Sequence, residues 1–165
     1  MTKVLYPGSF DPMTKGHMNI VSQASNLFDE VIIAIMQNPL KKSGFFTLEE
    51  RMEIIKELYQ SMSNIKVISG SGAAVDVALL YDCKAIIRGL RSLSDYDYEV
   101  GLQQINKDIS NNTVNTVCLF ADKEYQFVSS SMVKEVFNLD KDISRYVDPI
   151  VRDRMLIKKR SFKNE

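Results

Sequence analysis

Val4-Leu5-Tyr6-Pro7-Gly8-Ser9-Phe10-Asp11-Pro12-Met13-Thr14-Lys15-Gly16-His17 reads as a short apolar strand, a loop marked by glycine and proline, and the start of a helix. Further apolar runs of strand length follow at Val31–Met36, Ile65–Ile68, Ala85–Ile87 and Thr116–Phe120. The first two intervals between them carry helical periodicity, through Ile20, Ala24, Leu27 and Phe28, then through Ile55, Leu58 and Met62. Thr47-Leu48-Glu49-Glu50 has capping-box spacing and starts the second of these helices. Tyr98, Leu102, Ile105 and Ile109 share one face of a later, longer helix. Near-continuous apolar strands alternating with helices predict a five-stranded parallel sheet covered on both faces, a doubly wound, Rossmann-like α/β fold. A helix through Phe137 and another opening at Asp148-Pro149 form a C-terminal helical extension.

At 165 residues, with no internal repeat, linker or break in composition, residues 1–165 are expected to form a single domain. Lys158–Glu165 is expected to be a solvated, frayed tail. The basic and the acidic residues both number 21, so no global field draws the chain to nucleic acid or to an anionic membrane. No apolar run approaches the roughly 20 residues of a membrane span, and the N-terminus lacks the pattern of a secretory signal, so the expected location is the cytoplasm. Cys83 and Cys118 lie in or beside apolar segments and read as buried thiols.

In an open parallel sheet, ligands bind beyond the carboxyl ends of the strands. There the first strand is followed by Gly16 and His17 at a helix N-terminus, where free N–H groups and the helix dipole favour an anion. The pattern is neither a Walker loop nor G-x-G-x-x-G. Lys41 and Lys42 follow the second strand, and Arg88-Gly89-Leu90-Arg91 follows the fourth. Cations gathered at one sheet edge of a protein without net charge point to a polyphosphate ligand. Ser129-Ser130-Ser131 either caps the helix that follows or presents hydroxyls and N–H groups to a phosphate. Asp95, Asp97 and Glu99 fall at a helix start, where the dipole alone accounts for them.

Thr14-Lys15-Gly16-His17 matches the T-x-G-H form of the nucleotidyltransferase superfamily signature. Over almost its whole length the chain resembles the bacterial phosphopantetheine adenylyltransferases. The resemblance is carried by ordered blocks at Tyr6–His17, Phe46–Arg51, Ile86–Arg91, Asp95–Glu99 and Phe127–Glu135. It implies reversible transfer of AMP from ATP to 4'-phosphopantetheine, giving dephospho-coenzyme A and pyrophosphate in coenzyme A biosynthesis. It further implies that Ser9, Lys41, Ala74 and Arg88 bind phosphopantetheine and that His17, Lys41 and Arg91 are catalytic. Ser9, Phe10, His17, Gly89, Leu90, Arg91, Glu99, Tyr125, Gln126, Phe127, Val128, Ser129, Ser130 and Ser131 would bind ATP. Mg2+ carried on the ATP phosphates, a homohexamer and feedback inhibition by coenzyme A also come with the family. Three positions depart from the family's usual pattern: Ser9 replaces a common threonine, and Ala73 and Ala74 replace bulkier residues beside the pantetheine arm.

The reaction so implied needs no strong base. A phosphate monoester with a second pKa near ~6 is already largely dianionic at neutral pH. The site has to align two anions and offset transition-state charge, which suits one histidine among lysines and arginines. No carboxylate cluster has metal-cage spacing, so magnesium is expected on the nucleotide. Two alternatives stay open at this level: another small-molecule nucleotidyltransferase, acting on nicotinate mononucleotide or a CDP-alcohol, and a non-catalytic nucleotide sensor.

Overall fold

The computed structural model describes residues 1–37 and 44–163. Its strands are β1 (Lys3–Gly8), β2 (Glu30–Met36), β3 (Ile65–Gly70), β4 (Ala85–Leu90) and β5 (Asn115–Phe120). The helices are α1 (Lys15–Leu27), α2 (Leu48–Leu58), α3 (Ala74–Leu80), α4 (Leu93–Ile109), α5 (Ser130–Asn138) and α6 (Pro149–Lys163), with a 3-10 turn at Lys123–Tyr125. All strand pairs are parallel, in the order β3-β2-β1-β4-β5. The order reverses direction between β1 and β4, so a crevice opens where the connections leaving these two strands diverge.

The sheet is buried on both faces. Val4, Tyr6, Val31, Ile33, Ile35 and Ile87 pack with Ile20, Val21 and Ala24 of α1 and Ile55 of α2. On the other face Leu5, Ile32, Ala34, Ile68 and Ile86 pack with Val75, Val77 and Ala78 of α3. A third cluster joins Phe46 and Ile54 to Val133 and Phe137 of α5 and to Val151 and Met155 of α6. Thr47 accepts from the Glu50 N–H while the Glu50 carboxylate accepts from the Thr47 N–H, the capping box expected from the spacing. Ser129 caps α5 by accepting from the Met132 N–H, and Asp148 accepts from the Ile150 N–H at the start of α6. No helix among the described residues is long and apolar enough to cross a membrane.

The structure corrects two expectations. Residues 158–163 are helical rather than a frayed tail: Lys158 pairs with Glu50, and Lys159 donates to the Phe137 carbonyl and to Asp140. Asn164 and Glu165 lie outside the described residues. Cys83 is buried, but Cys118 is exposed, because β5 is an edge strand and only its Val117 and Leu119 side packs on the core. The apolar face of α4 exists, yet it points outward, with Tyr98 66%, Ile105 55% and Ile109 46% exposed. The helix instead turns Glu99, Asn106 and Ser110 inward.

Candidate active site

The crevice between the carboxyl ends of β1 and β4 is a cavity of about 320 Å³. That is within the range of small-molecule sites. Its walls come from Gly8 at the end of β1 and Phe10 just after it, His17 on α1, Arg88, Gly89 and Arg91 around the end of β4, Glu99 on α4 and Val128 ahead of α5.

Two glycines shape it. A Cβ on Gly8 would lie 2.8 Å from the ring of Phe10, which folds back over the turn with φ 47°. At Gly16 a Cβ would approach the Val128 carbonyl to 3.3 Å, so the glycine lets the α1 N-terminus sit close against the 125–128 segment. Ser130 ties the same elements together by donating its hydroxyl to the Pro12 carbonyl at 2.7 Å. Asp11 closes the turn from the other side. Its carboxylate accepts the Phe45 N–H at 2.7 Å and the Phe46 N–H at 2.8 Å, with Lys134 at 3.6 Å.

His17 is the N3 residue of α1. The Thr14 N–H donates to its Nδ1 at 3.1 Å, and the Thr14 hydroxyl oxygen accepts the His17 N–H at 3.3 Å. Burial lowers the imidazole pKa to about 4, and the nearby Arg91 charge adds to the effect. The ring is therefore neutral at physiological pH. Phe10 meets it edge to face, with centroids 5.2 Å apart.

Arg88 pairs with Glu99 through Nε at 2.7 Å and Nη2 at 2.6 Å, both to the same oxygen. Arg91 lies 3.6 Å from Asp95 and donates to the Val128 carbonyl at 3.5 Å. Burial pushes the Tyr6 phenol far up, against the opposing fields of Arg88 and Arg91, so this wall of the cavity stays uncharged.

Of the residues singled out from the sequence, Phe10, His17, Arg88, Gly89, Arg91, Glu99 and Val128 meet in this cavity. Ser9 is exposed and is not part of the cavity lining, its carbonyl accepting from Arg51 at 2.7 Å. Leu90 is buried in the sheet, Tyr125 packs on the core, and Gln126, Phe127 and Ser131 face solvent. Ser129 and Ser130 serve as cap and tie. Ala74 opens α3 and packs beneath the sheet, away from the cavity lining. Lys41 and Lys42 lie outside the described residues. Tyr6, Ile20, Asp95, Tyr98 and Ala121 also line the cavity and were not assigned to the site from the sequence. Asp95 and Tyr98 stand within the matching block around Glu99, while Ile20 and Ala121 look in sequence like ordinary core residues.

A parallel sheet with a donor-rich cavity at its switch point and T-x-G-H at the adjoining helix start defines a nucleotidyltransferase-type site. The cytidylyltransferase-like family model matches residues 5–136. Phosphopantetheine adenylyltransferase of Heliobacterium modesticaldum is 46% identical over 155 residues, covering 94% of this chain and 91% of that protein. The enzyme of the same name from Finegoldia magna is 45% identical over 153 residues, covering 92% and 93%. Among solved structures, Plasmodium falciparum nicotinic acid mononucleotide adenylyltransferase complexed with NaAD superposes with a TM-score of 0.66 at 19% identity, over 96% of each chain. A lipopolysaccharide core biosynthesis protein from Thermoplasma volcanium gives 0.58 at 21% identity, over 73% of this chain and 98% of that one. These two share the fold.

The chain thus belongs to the cytidylyltransferase-like nucleotidyltransferases. Within them it is a member of the phosphopantetheine adenylyltransferase family.

Proposed function

We propose that the cavity between β1 and β4 transfers AMP from ATP to 4'-phosphopantetheine, releasing pyrophosphate and forming dephospho-coenzyme A. The observation that carries this reading is the convergence of His17, Arg88 and Arg91 on one cavity beside a helix N-terminus. An oxygen of the acceptor's phosphate attacks the α-phosphorus, and the bond from that phosphorus to the bridging oxygen of pyrophosphate breaks. The acceptor arrives largely dianionic, so no residue has to remove a proton from it. His17 donates to an α-phosphate oxygen, Arg91 offsets charge on the transferring group, and Arg88, Lys41 and Ser9 hold the acceptor phosphate. Gly89, Glu99 and Val128, which line the cavity, border the nucleotide, while Leu90, the rest of the Tyr125–Ser131 segment and, for the pantetheine arm, Ala74 are assigned by resemblance alone.

Magnesium enters with ATP. Among the described residues no group of acidic, histidine or cysteine side chains could cage a metal ion, and the two carboxylates at the cavity are engaged with Arg88 and Arg91. An ion held by the nucleotide's own phosphates, with waters completing its shell, fits that surround. The exposed apolar stripe of α4 is of the kind covered in an assembly, which supports the homohexamer the family implies. Feedback inhibition by coenzyme A and a cytoplasmic location belong to the same reading.

Pyrophosphate release from ATP and magnesium tests it, with 4'-phosphopantetheine, nicotinate mononucleotide or no acceptor. Release that depends on 4'-phosphopantetheine is expected. Release only with another acceptor overturns the acceptor assignment, and none with any acceptor overturns the reaction.

A further inference from the structure

A capping box ordinarily places glutamate or glutamine at N3, whose side chain reaches back to the cap residue's N–H. In α1 that place is taken by His17, and the group reaching back is an imidazole nitrogen. The exchange has a chemical consequence. A glutamate at N3 would be an acceptor only and would carry negative charge into a cavity that also holds Arg88 and Arg91. A neutral imidazole accepts with one nitrogen and donates with the other.

A backbone N–H can only donate. Since the Thr14 N–H points at Nδ1 from 3.1 Å, that nitrogen must offer its lone pair, and the ring proton is assigned to Nε2. Thr14 itself is fully buried, and its hydroxyl oxygen stands 3.1 Å from Nδ1 and 3.3 Å from the His17 backbone nitrogen. The Phe10 ring and the imidazole pack edge to face. Arg91 and the positive end of the α1 dipole disfavour a second proton.

We propose that Thr14 is a positioning residue: its reciprocal cap with His17 locks the imidazole in the Nε2–H tautomer, so that the ring presents a single neutral donor to the cavity. The role in catalysis rests on the proposed adenylyl transfer; the tautomer does not. The threonine of T-x-G-H then acts through its histidine rather than on the substrate.

His17 is the sole histidine of the chain, so its nitrogens can be read without assignment ambiguity in the whole protein. Nitrogen-15 NMR at pH 7 is expected to show a pyridine-type Nδ1 and a pyrrole-type Nε2, with a scalar coupling across the hydrogen bond from the Thr14 amide to Nδ1. A protonated Nδ1, or an imidazolium at pH 7, overturns the proposal whatever the activity. Thr14→Val keeps the shape but loses the hydroxyl. It is expected to lower kcat by roughly ten- to a hundredfold with little change in KM for ATP, by analogy with the loss of a bond that orients a metal-ligating imidazole. The backbone N–H still faces Nδ1 in this variant, but with the hydroxyl half of the reciprocal cap gone the Thr14 amide-to-Nδ1 coupling is expected to weaken and a second tautomer to appear, and Thr14→Ser should restore both readouts. Unchanged tautomer and kcat in Thr14→Val would remove the threonine side chain from the account. Should Thr14→Val not fold, the wild-type spectrum and Thr14→Ser decide. Absence of pyrophosphate release in the wild type, with the expected spectrum intact, would count against the reaction and not against the tautomer.

Discussion

Arg88 on β4 and Glu99 on α4 form an ion pair in which two guanidinium nitrogens, at 2.7 and 2.6 Å, share one carboxylate oxygen. The other oxygen, Oε2, is buried without a hydrogen bond. The pair borders the cavity, so a cation assigned to the acceptor phosphate is already partly neutralised before any anion arrives.

The two halves of this pair are unequally exposed, with side chains 26% accessible for Arg88 and 10% for Glu99. Removing the arginine strands the more deeply buried charge. Arg88→Met is therefore expected to destabilise the fold by roughly 3 kcal/mol, and Glu99→Gln by about 1 kcal/mol. Urea unfolding of the two variants checks the asymmetry, and equal losses would argue against it. Arg88→Met should also raise KM for 4'-phosphopantetheine.

Under the proposed reading, His17→Ala loses a donor used in the transition state. The expected loss is in kcat, by about 10² to 10³-fold, corresponding to ~3 to 4 kcal/mol, with KM little changed. Steady-state pyrophosphate release measures it. A rise in KM at constant kcat would reassign the imidazole to ground-state binding.

The lowered pKa of His17 makes a statement about stability. In the unfolded chain the imidazole protonates near 6.5, in the folded chain near 4. Between these values the unfolded state binds the extra proton, so stability falls as pH drops from about 6.5 to 4 and levels off below. The His17 contribution across this window is on the order of 3 kcal/mol. Urea unfolding at stepped pH should show this slope reduced by one proton in His17→Gln. An unchanged slope in the variant would place the titration elsewhere.

Asp11 receives two adjacent backbone N–H groups, from Phe45 and Phe46. Asp11→Asn can accept only one of them and turns an NH₂ toward the other. It is expected to rescue little of the roughly 2 to 4 kcal/mol lost in Asp11→Ala. Thermal unfolding of both variants measures this. If Asp11→Asn is as stable as wild type, the clasp is not held by the carboxylate.

Much of the architecture was legible in the sequence, because its signals are local. Apolar runs placed the cores of β1 to β5, Thr47 and Glu50 marked the start of α2, and Asp148-Pro149 marked α6. The position of His17 at a helix start, at the carboxyl end of the first strand, was legible for the same reason. Helix α3 is only seven residues long, too short for periodicity to announce it.

What the tertiary structure alone decided are the relations between distant segments. The Asp11 clasp spans 34 and 35 residues, and the Ser130 tie to Pro12 spans 118. Glu99 looked like a charge at a helix start, and only the rotation of α4 over β4 and β5 turns it inward to Arg88 and leaves Tyr98, Ile105 and Ile109 outside. Periodicity records that a helix has an apolar face, not which way it points. In this structure that direction brings a carboxylate that would otherwise be buried unpaired against an arginine on the neighbouring strand, a relation that exists only once helix and sheet have packed.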